Sequence, residues 1–223
     1  MKDNGLLVQY FNANTPADQT LWAKAAKDAV TLKKIGATAV WFPPATKGAA
    51  GKEDMGYAPY DLYDLGEFNQ KGSVGTRYGT KKEYLEAIDA MKAQGINVYA
   101  DIAVRQKLGA DSVEKVTAAD FNAKDIPQMI GNKKIVGALS KFTFAGRRSK
   151  YSKFKWNWNH FAGIDWQQDD FKKRVCELSG MTEEEAEKKY KLSKYDYIIG
   201  SELDLYNQEV YDELMTWAKW YED

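Results

Sequence analysis

The strongest constraint on this chain is the rhythm of residues 6–100, where short apolar runs alternate with segments of helical period. Leu6-Leu7-Val8-Gln9-Tyr10 reads as a strand, and Leu21, Ala25, Ala29 and Leu32 then recur at helical spacing before Gly36 supplies a C-cap. Ala39-Val40-Trp41-Phe42 is a second strand, halted by Pro43-Pro44. A second helix opens with a capping box, Thr80 with Glu83, turns Leu85, Ile88 and Met91 inward, and stops at Gly95. Ile96-Asn97-Val98-Tyr99-Ala100 follows as a third strand. Strand, helix, strand, helix, strand is the order of a parallel βαβ series with right-handed crossovers, so the expected class is α/β.

From Lys107 to about Tyr206 the alternation stops. Gly, Asn, Lys and aromatic residues mix irregularly, apart from a short helix expected to open at Thr182 with Glu185. This stretch reads as an irregular inserted subdomain. Asn207 is then a plausible N-cap, and Glu209, Asp212 and Glu213 lie near the helix start. Val210, Leu214, Trp217, Ala218 and Tyr221 form the apolar stripe of that last helix. The expected organisation is thus 1–106, 107–206 and 207–223.

Composition excludes several classes. The 32 basic and 32 acidic residues cancel, and no basic tract that could track phosphates is present, so nucleic acid is not an expected partner. A lone cysteine, Cys176, forms no internal disulfide, and a lone His160 cannot furnish a His-rich zinc site. Residues 1–11 turn polar too quickly for a signal sequence, and no run approaches the roughly 20 apolar residues of a membrane span. A cytoplasmic protein with no membrane association is expected. Aromatics make up 13% of the chain, including 14 Tyr and 7 Trp, which suits stacking on sugar faces as well as packing in a core.

The most distinctive string is Gly56-Tyr57-Ala58-Pro59-Tyr60-Asp61-Leu62-Tyr63-Asp64-Leu65-Gly66-Glu67-Phe68, in the loop after the second strand. Two readings stand for it. Tyr57 stacks on a glucosyl ring in a loop stiffened by Pro and Gly, or the aromatics only pack against one another.

Six motifs in order carry a resemblance: Gln9-Tyr10-Phe11, Val40-Trp41-Phe42-Pro43-Pro44-Ala45, the Gly56 to Phe68 string, Tyr78-Gly79-Thr80-Lys81, Phe154-Lys155-Trp156 and Tyr195-Asp196-Tyr197. In this the chain resembles the bacterial liquefying α-amylases of glycoside hydrolase family 13. The resemblance implies a partial (β/α)8 barrel, its first three βα units, with an irregular domain B inserted after strand three. It implies an α-glucan partner such as starch, glycogen or maltooligosaccharide, bound by Tyr57, Asp101 and Gln106. Asp101, at the end of the third strand, matches an aspartate that supports the family's catalytic centre through hydrogen bonds. A carboxylate at the C-terminal end of a barrel strand is well placed to orient polar groups. Lys107, Trp156 and Trp158 could also touch a glucan, though aromatics in a small insertion more often hold it together.

The family also binds calcium, and here the pattern departs. Arg105 stands at a usual ligand position and Gln106 at a usual histidine; guanidinium offers donors only, so it cannot ligate a hard cation. Three alternating aspartates appear as Glu202-Leu203-Asp204-Leu205-Tyr206, another aspartate-bearing loop as the Met181 to Lys191 segment, and Ala162 stands where an acid is common. Asp165, Glu202 and Asp204 remain as weak candidates for a degraded calcium site. Two expectations follow: the Arg105 guanidinium takes the calcium position and pairs with Glu202, Asp204 or Asp165, or it points to solvent.

Retaining hydrolysis of a glycoside needs two carboxyl groups about 5 Å apart. The resemblance puts these, with a third aspartate, on later barrel strands, beyond Asp223, so no catalytic residue is expected in this chain. Three strands cannot close a barrel, and an open sheet edge invites pairing with a complementary chain that supplies strands four to eight. Three functions are therefore open: a segment of an α-1,4-glucan endohydrolase inert by itself, a non-catalytic glucan-binding module, and a truncated frame with no selected function.

Overall fold

The computed structural model describes residues 5–121, 129–166, 173–177 and 200–222. They fall into two compact units, one of residues 1–104 with 145–147, the other of residues 105–144 with 148–223. The fold is mixed α/β.

The first unit holds β1 (Leu7–Gln9), α1 (Leu21–Lys34), β2 (Ala39–Phe42), β3 (Lys47–Gly48), β4 (Pro59–Asp61), α2 (Lys81–Ala93) and β5 (Asn97–Ala100). β1, β2 and β5 form a parallel sheet with β2 central, in register Leu7↔Ala39 and Ala39↔Asn97. β2 supplies Val40 and Phe42, which share one face of the strand and are wholly buried, while Trp41 on the other face is half-buried. Phe42 meets Trp22 of α1 at 5.2 Å between ring centroids, and Trp22 in turn meets Tyr78 at 5.5 Å and Tyr84 of α2 at 4.8 Å. This aromatic cluster joins both helices to the sheet.

Both helices end as their glycines require. Gly36 and Gly95 sit at φ +88° and +66°, in the left-handed region. Beyond them Ala37 N donates to Leu32 O and Ile96 N to Met91 O, each at 3.0 Å, the outer bond of a Schellman motif. At the start of α2 the Thr80 side chain accepts from Glu83 N while Glu83 Oε2 accepts from Thr80 N at 2.8 Å, so both arms of the capping box are present. The inward face of α2 differs from the predicted one. Tyr84, Ala87 and Met91 are buried, whereas Leu85 is 46% exposed. Helical period alone cannot choose between the Leu85 stripe and the Tyr84 stripe one residue away; the α1 partner and the Trp22 ring choose Tyr84.

The second unit is not irregular. β6 (Gln106–Lys107), β7 (Ser112–Phe121), β8 (Met129–Lys141), β9 (Phe161–Trp166), β10 (Lys173–Glu177) and β11 (Ser201–Leu203) form an antiparallel sheet in the order β6-β11-β9-β10-β7-β8. The expectation of an irregular insertion fails because the inner face of this sheet is built largely from small side chains. Val116 and Ala118 of β7, and Val136, Ala138 and Ser140 of β8, are buried, while Lys115, Thr117 and Ile135 face outward. The period of two is real, but Ala and Ser carry it where branched apolar residues would announce it. Thr182, Glu185 and the whole Met181 to Lys191 segment lie outside the described residues, as does Tyr195-Asp196-Tyr197.

α3 (Gln208–Glu222) follows, with Asn207 as its N-cap: Asn207 Oδ1 accepts from Glu209 N at 2.9 Å. Val210 and Trp217 are buried and Leu214 and Tyr221 half-buried, but Ala218 of the predicted stripe is exposed. The helix is held within the second unit by Ser152 Oγ donating to Glu213 Oε1 at 2.7 Å and by Tyr151 against Trp220 at 4.8 Å. No helix among the described residues is long and apolar enough to cross a membrane.

Candidate functional site

In the first unit, the loop after β2 and the end of β5 meet at one hydrogen bond. Tyr57 Oη donates to Asp101 Oδ2 at 2.6 Å, across 44 positions of sequence. Asp101 is held because its N–H continues the β2–β5 ladder onto Phe42 O at 2.9 Å. Tyr57 is held by its neighbours. Asp54 Oδ1 accepts from Gly56 N at 2.8 Å, and Tyr78 Oη donates to Met55 O at 3.0 Å. Gly56 itself must be glycine: at φ +93°, a Cβ there would lie 2.6 Å from the Pro44 side chain and 2.7 Å from its carbonyl oxygen.

Burial and the hydrogen bond to Asp101 push the Tyr57 hydroxyl well above its ordinary range. It therefore stays a donor at any working pH and orients the carboxylate, whose other oxygen can accept from a ligand hydroxyl. The residue is still 41% exposed. An anchored hydroxyl with an accessible ring is a platform for a flat apolar face carrying hydroxyls at its rim.

Beneath the loop is a buried polar network that sequence reasoning missed. Lys47 is fully buried, and its ammonium donates to the carbonyls of Phe68, Ser73 and Val74 at 3.2, 2.7 and 2.6 Å, with Asp64 Oδ2 at 3.5 Å. Arg147 Nε donates to Asp61 Oδ2 at 2.8 Å, both side chains 1% exposed, and Gln70 Nε2 bridges Asp61 and Asp64 at 2.9 and 3.0 Å. Desolvation pushes the Asp64 carboxyl up and the Lys47 ammonium down, so burial outweighs their mutual attraction. The signal for this network was available: two carboxylates set among Tyr60, Leu62, Tyr63 and Leu65 must be buried with them, and a buried carboxylate needs a cation. Which cation was not legible, since Arg147 is 86 positions from Asp61.

In the second unit, Arg105 and Glu202 meet. Arg105 Nε and Nη2 both lie 2.7 Å from Glu202 Oε1, and Leu203 N donates to Arg105 O at 2.8 Å. Gln106 is half-buried on β6, opposite Glu202 of β11. Asp204 Oδ1 accepts from Tyr206 N at 3.1 Å. The side chain of Asp165 lies outside the described residues. Arg105 and Glu202 as placed do not fit a calcium ion: a donor-only guanidinium holds the Glu202 carboxylate, and no three His, Cys, Asp or Glu side chains converge as a metal site among the described residues. Lys107 and Trp156 are interior, 1% and 4% exposed, with the ammonium 5.1 Å from the centroid of the Trp156 ring and 5.7 Å from those of Phe142 and Phe144. They pack the interior of the unit, whereas Trp158 is at its surface, its backbone N–H donating to Glu114 Oε2 at 2.9 Å.

No protein-family model matches the chain. The α-amylase of Geobacillus stearothermophilus is 46% identical to it over 219 residues, 98% of this chain and 40% of that protein. The glucan 1,4-alpha-maltohexaosidase of Bacillus sp. (strain 707) is 41% identical over 98% of this chain and 42% of its own length. The cytoplasmic alpha-amylase of Escherichia coli (strain K12) is 38% identical over 97% of this chain and 44% of its own length. Among solved structures, truncated alternansucrase from Leuconostoc mesenteroides aligns with 61% of this chain and 13% of its own at 23% identity and a TM-score of 0.46. The chain thus spans about two fifths of the length of the curated relatives it matches. Over nearly the whole of its own length, this chain is similar in sequence to proteins named as bacterial α-amylases.

Proposed function

We propose that this chain is the glucan-binding and scaffolding part of an α-amylase-type endohydrolase acting on α-1,4-glucosidic bonds. In this reading β1, β2 and β5 with α1 and α2 belong to a (β/α)8 barrel, residues 107–206 are its domain B, and 207–223 is the third barrel helix. The observation that carries the reading is the Tyr57–Asp101 hydrogen bond, which sets an exposed ring beside a strand-end carboxylate. Gln106, in the second unit, carries an amide that can exchange hydrogen bonds with a sugar hydroxyl. The kinship with bacterial α-amylases supports the substrate class, and a relative named as cytoplasmic supports the same location here.

The two carboxyl groups of a retaining mechanism, about 5 Å apart, come in this reading from further barrel strands. The carboxylates around the Tyr57 loop are committed elsewhere: Asp61 and Asp64 are wholly buried and hydrogen-bonded, and Asp101 holds Tyr57. Titrating maltooligosaccharides against the wild type and Tyr57→Ala tests the binding role. The variant is expected to bind roughly tenfold more weakly, the loss of about 1.4 kcal/mol of stacking; equal binding by the two proteins would refute it. Co-expression with a polypeptide supplying strands four to eight, followed by a starch-cleavage assay, tests the enzymatic role, and a folded but inactive pair would leave only a binding module.

A further inference from the structure

In each unit a side-chain cation of the chain itself is seated on a carboxylate that is largely removed from water. In the first unit it is the Lys47 ammonium, among three carbonyls and the Asp64 carboxylate. In the second unit it is Arg105. Its partner Glu202 has a side chain only 9% exposed, so the negative charge needs a cation within reach. Two guanidinium nitrogens at 2.7 Å from one carboxylate oxygen meet that need. The backbone repeats the link, since the Arg105 carbonyl accepts from Leu203 N at 2.8 Å and β6 pairs with β11 through Glu202↔Gln106.

We propose that Arg105 is the built-in cation of the second unit: it neutralises Glu202 and ties β6 to β11 where a divalent ion would otherwise be required, so that this protein folds and holds its structure without calcium. Both guanidinium nitrogens lie on Glu202 Oε1, so a divalent ion seated on the same carboxylate would stand beside a fixed positive charge, and the two cations compete for Glu202. The clamp needs no glucan, so its test reads stability and ion binding, and both stand whether or not the chain binds sugar.

The full chain is melted, followed by circular dichroism, in excess chelator and in excess calcium chloride. The two midpoints are expected to coincide. A resident calcium at a hundredfold its dissociation constant would separate them by roughly 5–11 °C for a chain of this size. Terbium, a luminescent stand-in for calcium, is expected to give no saturable sensitised emission. Arg105→Asn is expected to lower the midpoint by several degrees in both media, and Glu202→Gln to lower it less, because the remaining guanidinium is half exposed and can be solvated. A midpoint that falls in chelator and returns with calcium overturns the proposal, as does saturable terbium emission from the wild type. Should Arg105→Asn fail to fold, the two wild-type measurements decide the matter alone.

Discussion

Removing Arg147 should be among the most damaging single changes in the first unit. Its Nε lies 2.8 Å from Asp61 Oδ2, with both side chains 1% exposed, and its guanidinium carbon sits 5.1 Å from the centroid of the Tyr63 ring. Arg147→Met keeps much of the volume but leaves the Asp61 carboxylate hydrogen-bonded by neutral donors alone, Gln70 Nε2 at 2.9 Å and Tyr63 N at 3.2 Å, with the Lys47 ammonium acting on it only through space. Two neutral hydrogen bonds do not offset the burial of a charge. Breaking such a pair from one side costs about 3–5 kcal/mol, which for a chain of this size is a fall in melting temperature of roughly 6–20 °C. Asp61→Asn in the same background removes the stranded charge and should recover about 2 kcal/mol or more, since most of the single-variant cost is the unpaired carboxylate. Urea unfolding followed by tryptophan fluorescence, with Trp22 and Trp41 reporting on this unit, measures all four corners of the cycle. A loss below about 1 kcal/mol for Arg147→Met, or a double variant as unstable as the sum of the singles, would show that Asp61 does not depend on a buried cation.

Thr80→Ala removes the side-chain acceptor of the capping box and should cost about 1 kcal/mol in thermal melts, against no change at all if the cap is incidental. The two faces of α2 should respond oppositely: Met91→Ala is expected to cost about 2–5 kcal/mol, while Leu85→Lys, on the exposed face, should stay within about 0.5 kcal/mol, and a reversal would mean the helix is rotated. Burial, aided by the hydrogen bond to Asp28, pushes Tyr10 up to about 12, and burial pushes Tyr78 up to about 12. A folded-state pKa above the ordinary value of 10 means that the contribution to stability is complete below pH 10 and is lost as pH rises through about 12. The ultraviolet titration of tyrosinate should therefore show a late phase that shrinks in Tyr10→Phe; an unchanged late phase would contradict the assignment.

By itself the sequence determined what short-range rules control. The alternation of β1, α1, β2, α2 and β5, the capping box at Thr80 and the terminating Gly36 and Gly95 are written within a few residues of where they act. The candidate pair Tyr57 and Asp101 was legible as two separate residues, through resemblance; only the fold made them one site, because the hydrogen bond between them spans 44 positions. Tertiary structure alone decided which stripe of α2 faces inward, since Leu85 and Tyr84 satisfy the helical period equally and the aromatic cluster selects between them. It also decided that residues beyond Lys107 form a sheet, because a face made of Ala118, Ala138 and Ser140 is apolar enough to pack yet too small to stand out along the chain. The buried cation of the first unit was the least legible: Arg147 meets Asp61 across 86 positions, and charge attraction between distant residues leaves no periodic trace in sequence. Arg105 was legible through resemblance as a partner for Glu202, Asp204 or Asp165, and the fold chose Glu202, 97 positions away, because the pairing of β6 with β11 sets the two side by side.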